Sequence, residues 1–125
     1  NLFVKEEYMR VDGYFLEDTL VAFSSVMHNG NNLCSYFVGF NKELNKTIPI
    51  YGRILIENIK TAIILKKKQL IFGRTANEFK SNFGAYPINS FVYLKLTNKI
   101  LRFILAPIYS RLTLKKWHQR RPFKS

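Results

Sequence analysis

The sequence predicts an α/β domain built on a mixed, mostly antiparallel sheet with one long crossover helix. Three observations predict it. Residues 8–40, "YMRVDGYFLEDTLVAFSSVMHNGNNLCSYFVGF", hold three strand-like runs joined by turns too short for crossovers. Residues 46–69, "KTIPIYGRILIENIKTAIILKKKQ", then switch to helical period. A further apolar run, "QLIFG", follows that helix. A helix between two strands of one sheet makes a right-handed crossover, so "QLIFG" is expected to lie parallel to "LCSYFVGF".

Taken in order, Tyr14 to Leu16 leads into a Glu17-Asp18 turn, and "TLVAFSSVMH" follows. "NGNN" supplies residues that accept positive φ, the mark of a hairpin, and "LCSYFVGF" completes the meander. On the long helix, Tyr51, Leu55, Ile59, Ala62 and Ile63 share one face. Thr47 is the expected N-cap and Pro49 suits the first turn, where its missing donor costs nothing. Lys66, Lys67 and Lys68 stand at the other end, where cations complement the helix dipole.

"QLIFG" is expected to be a short buried strand, "TANEFKSNF" a short helix ended by Gly84, and "INSFVYLKL" another strand. Thr75 and Glu78, three apart at a helix start, have capping-box spacing. That leaves Arg74 and Lys80 unexplained at the same junction. From Asn98 onward two short helices broken near Pro107 are expected, then a basic extended tail. The domain reading is therefore a core over residues 1–97 and a helical, basic extension over 98–125.

At 125 residues the chain holds one domain, and an apolar fraction of 47% excludes wholesale disorder. Twenty Lys and Arg against eight Asp and Glu give a net charge of +12. Such a surplus favours polyanionic partners: nucleic acid, an acidic surface or a phosphorylated cofactor. One cysteine, Cys34, excludes an internal disulfide and reads as a buried small hydrophobe. His28 and His118 are far apart, so no metal centre is expected. No apolar run approaches the roughly 18 residues needed to span a bilayer, and no secretory signal is visible, which makes cytoplasmic the default location. The strand-like start at Asn1 suggests a piece of a longer chain whose N-terminal part is missing.

The run "GRTANEFKSNFGAYP", preceded by "YGRILIENIKTAI" and followed by "KKWHQRRPFK", resembles bacterial GNAT-type acyltransferases, in particular their Fem-like and peptidoglycan-biosynthesis-like branch. The resemblance covers Gly13 to Pro87 well and the tail more loosely. It implies transfer of an acyl group from acetyl-CoA or another acyl-CoA, or from a Fem-like aminoacyl-tRNA donor, to an amine. It also implies that Val38, Gly39 and Phe40 pair through their backbone with the pantetheine arm. The family's Arg/Gln-x-x-Gly-x-Gly/Ala phosphate cradle is replaced by "NKTIPIYGR", where Pro49 removes one amide and only Gly52 remains. Lys46 and Arg53 can supply charge there. The tyrosine that such enzymes often carry four residues before the helix-ending glycine is replaced by Lys80.

Amine acylation needs a base, because an ammonium cannot attack. Glu57 and Glu78 are the candidates. Glu57 lies away from the apolar stripe as a solvated residue, so Glu78 is the residue assigned, with Lys80 as the proton donor. Lys46, Gly52, Arg53 and Arg74 complete the expected donor site. No Ser/His/Asp pattern points to covalent catalysis. The second reading is a non-catalytic basic module for tRNA, another polyanion or an acidic surface, resting on the charge and on "KKWHQRRPF".

Overall fold

Strand β1 (Met9–Leu16) pairs antiparallel with β2 (Thr19–Asn29), which pairs antiparallel with β3 (Asn32–Phe40). A 3-10 turn (Leu44–Lys46) leads to helix α1 (Ile50–Ile64), then to strand β4 (Gln69–Ile71) and the short helix α2 (Asn77–Ser81). The structure is a computed structural model describing residues 8–91, 93, 95, 97, 98, 101, 103, 105, 107 and 117–123. It divides into two compact units, Asn1–Thr75 and Ala76–Ser125. The first unit holds the four-stranded sheet, in the order β1-β2-β3-β4, and α1.

The hairpin signals hold. Glu17 at φ +51° and Gly30 at φ +54° turn the chain between strands. As expected from the crossover, β4 is parallel to β3, with Asn32, Leu33 and Cys34 opposite Gln69, Leu70 and Ile71. It is not a buried strand, however: Gln69 and Ile71 are exposed and Leu70 is half-buried. As the last strand of the sheet, β4 has a neighbour on one side only.

Between β2 and β3 the register shifts, with Ser24 opposite Val38 but Val26 opposite Ser35. Tyr36 and Phe37 therefore share the single partner Ser25, which is a β-bulge. Ser25, 2% exposed, repairs the interrupted ladder with its side chain. Its hydroxyl accepts from the Phe37 N–H at 2.9 Å and faces the Phe37 carbonyl at 3.4 Å.

Helix α1 packs on one sheet face. Ile50 and Ile54 meet Ala22, while Ala62 meets Val26 and Leu33. Leu33, Ile54 and Leu55 are wholly enclosed, each contributing about 2 kcal/mol by burial. The buried face is rotated from the expected one: Ile63 is 69% exposed and Tyr51 and Ile59 are half-buried, whereas Asn58 and Thr61 are buried. Hydrogen bonds explain the rotation. Asn58 donates to Ser35 Oγ at 3.1 Å, and Arg10 donates to Thr61 Oγ1 at 2.8 Å, so polar groups are satisfied inside.

The start of α1 also differs from expectation. Pro49 is the N-cap, and the Thr47 hydroxyl turns back to donate to the Leu44 carbonyl. Asn45 Oδ1 does the capping, accepting the Tyr51 N–H at 2.8 Å. At the far end Lys66 adopts φ +49°. The Lys66 N–H reaches the Ile63 carbonyl and the Lys67 N–H the Ala62 carbonyl, a Schellman closure. Lys67 Nζ donates to the Gly30 carbonyl and the Lys68 N–H to the Asn31 carbonyl, which ties the lysine run to the β2–β3 turn.

In the second unit the N-cap of α2 is Ala76, φ +52°, with no side-chain cap, so the capping box of Thr75 and Glu78 does not form. Gly84, φ +81°, ends the helical turns as expected. Residues 88–91, 93 and 95 are not in strand pairing, contrary to the strand expected over "INSFVYLKL". The two short helices expected from Asn98 fall largely outside the described residues.

Two substitutions test this account in urea denaturation. Ser25→Ala strands the bulge amide and is expected to cost about 1–3 kcal/mol. Lys66→Gly relieves the left-handed strain at the helix end and is expected to add about 0.5–1 kcal/mol.

Candidate functional site

The first unit contains a fork. The β3–β4 ladder ends at Cys34 and Ile71, while β3 continues through the bulge to Phe40. On the β4 side, Tyr36 to Phe40 have no ladder partner among the described residues. Gly73, φ +75°, stays near Ser35, since a Cβ there would lie 4.0 Å from the Ser35 carbonyl. Arg74 follows, exposed and without a hydrogen bond or ion pair among the described residues.

The other residues assigned to the donor site divide by role. Val38 and Phe40 pack against the Ala22, Ile50 and Ile54 cluster, and the Phe40 ring lies 5.4 Å from that of Tyr51. Gly39 sits under the Phe23 ring: a Cβ would stand 2.3 Å from it. The side chains of this trio are thus structural, leaving their backbone edge as the binding element. Lys46 pairs with Glu43, and Arg53 with Glu57 at 2.8 Å. Glu57 also holds Lys60 at 3.1 Å, so it is a half-buried ion-pair hub rather than a free solvated carboxylate.

The α1 N-terminus offers fewer amides than its position suggests. Pro49 has none, the Ile50 N–H bonds the Ile48 carbonyl at 2.7 Å, and the Tyr51 N–H bonds Asn45. Gly52 is buried in the first turn of α1. Anionic groups near this end would have to rely on side-chain cations rather than on a ring of amides.

The second unit has its own cleft, of about 750 Å³, lined by Ala76, Asn77, Glu78, Phe79, Asn82, Trp117 and Arg120. Glu78 pairs here with Arg120 at 3.0 Å. Arg120 also donates to Asn82 Oδ1, and its N–H donates to Ser81 Oγ. These contacts tie α2 to the 117–123 segment, a structural use of Glu78 that the sequence spacing did not reveal. Lys80 does not line the cleft. It is 5% exposed, and burial pulls its ammonium below the ordinary 10.5. Two positions apart on one helix, Glu78 and Lys80 point in different directions and do not form one acid–base pair.

Sequence reading missed Ser25, Asn58, Trp117 and Arg120. Only "KKWHQRRPF" signalled any of them, as an aromatic among cations. No protein-family model, curated protein or solved structure matches the chain. No group of three metal-ligating side chains, and no helix long and apolar enough to cross a membrane, occurs among the described residues.

The buried Lys80 predicts a pH effect. Its folded pKa lies below 10.5, so between the two values the unfolded chain binds more protons and stability rises with pH. Below that window the burial penalty is present in full. The stability of Lys80→Met relative to the parent is therefore expected to be highest at neutral pH and to fall towards pH 10.5, read by urea denaturation across the range.

Proposed function

We propose that the protein belongs to an acyl-CoA-dependent N-acyltransferase, with the donor lying along the free edge of β3. The fork carries this reading: three residues of β3 paired to β4, a bulge, then a stretch from Val38 to Phe40 that is paired to β2 on one side and has no ladder partner on the β4 side among the described residues. An extended thioester arm with its own amides can add to such an edge as a strand does. The bulge supports the reading further, because it separates the part of β3 paired to β4 from the part whose β4 side is open.

Arg74 is the anion contact of this proposal, since it has no ion pair among the described residues and follows the end of β4, while Lys46 and Arg53 are held by carboxylates. In the reaction, a neutral amine attacks the thioester carbonyl and the new C–N bond replaces the C–S bond. The amine loses a proton and the departing thiolate gains one. Positioning supplies most of the acceleration, and a β3 amide near Gly39 would stabilise the developing oxyanion. The buried Lys80 and the ion-paired Glu78 serve this chemistry less directly than their sequence spacing implied.

Acetyl-CoA and CoA are expected to raise the melting temperature, and Arg74→Ala to weaken acetyl-CoA binding about tenfold, or ~1.4 kcal/mol. Thermal shift and calorimetric titration read both. Absence of any shift at millimolar acetyl-CoA removes the proposal.

A further inference from the structure

The sheet face opposite α1 carries the second inference. Register fixes its membership: Val11 opposes Ser25, Phe15 opposes Leu20, Phe23 opposes Gly39, and Cys34 opposes Ile71. Val11 is 51% exposed, Phe15 64%, Leu20 56%, Phe23 43% and Ile71 39%. Asn29, Asn32 and Gln69 border it at one end with uncharged amides. Among the described residues no charged side chain shares this face, although the chain carries +12.

We infer that this face is the contact between two copies of the chain, stacked sheet on sheet about a two-fold axis. Charge selects the occupant. A polyanion finds nothing to pair with here, and two strongly basic copies can approach closely only where neither presents a cation. The outer side of α1 is apolar too, at Ile56, Ile63 and Ile64, but Arg53 and Lys60 interrupt it. Shape agrees. The Phe23 ring lies over Gly39, and a Cβ added at Gly13 would stand 3.1 and 3.2 Å from Phe15 and Leu20, so neighbouring side chains fill the space over both glycines. Faces filled in this way suit aligned sheet packing.

Area agrees as well. The exposed parts of the five residues amount to roughly 500 Å² per copy, so a face-to-face pair removes on the order of 1,000 Å², the threshold of a specific interface. A two-fold contact of this kind closes on itself, so the assembly stops at two.

Light scattering after size exclusion tests the inference on the full chain. Twice the chain mass is expected at about 100 µM, and the monomer on dilution to nanomolar concentration. Val11→Lys with Leu20→Lys is expected to give monomers at about 100 µM with unchanged circular dichroism. Should that variant fail to fold, the unaltered protein answers by dye: anilinonaphthalene sulfonate fluorescence per chain rises on dilution as the face is uncovered. A monomer at about 100 µM, open-ended oligomers, dye binding independent of concentration, or monomers that instead take up phosphatidylcholine vesicles would each overturn the assignment.

Discussion

The hydroxyl of Ser25 meeting the backbone of Phe37 is the contact on which the arrangement of the first unit turns. A bulge leaves a backbone amide and carbonyl without their ladder partners, and in a buried strand that loss is costly. Ser25 offers one oxygen that accepts from the amide and faces the carbonyl, within a side chain small enough to sit wholly enclosed. With the bulge stabilised, β3 carries its extra residue between Ser35 and Val38 and stays in its ladder with β2. β4 stays beside β3 for three residues only and ends before the bulge. Beyond the bulge lie the open edge and Phe40, whose ring packs against Tyr51.

The strands and the crossover were legible because they obey local rules. Gly30 and Asn31 between alternating runs specify a hairpin, and a 15-residue helix between two strands of a sheet fixes their parallel relation. Capping was less legible. Thr47 and Thr75 have the right chemistry at plausible positions, yet Asn45 reaches α1 from further back and Ala76 starts α2 from a left-handed conformation. Both outcomes depend on the path of the preceding loop, which residue identity at a single position does not encode.

The rotated face of α1 has a different cause. A hydrophobic pattern treats Asn58 and Thr61 as outward residues, and so shifts the inferred stripe towards Ile59 and Ile63. In the folded chain Ser35 and Arg10 arrive from distant strands to satisfy the two polar groups, and the burial penalty disappears. Only tertiary partners decide this, and they are 23 and 51 residues away. The same holds for Glu78, whose partner Arg120 lies 42 residues on. A carboxylate at a helix start read as a cap or a base becomes, with that partner, a tie.

Charge distribution connects these details. Arg10, Lys46, Arg53, Lys60 and Arg120 each stand beside a carboxylate, and Lys67 beside a carbonyl, so much of the basic surplus among the described residues is fixed in local contacts. Exposed pairs of this kind contribute little stability, but they hold long side chains in place and lower the local potential. A cation left outside such pairs acquires weight it would not have by count alone. Arg74 is one, and it stands where two strands part. The uncharged sheet face is the complementary case: in a chain this basic, a surface without any cation marks where like molecules can meet. The total of +12 therefore says less about partners than where individual charges stand and which surfaces lack them.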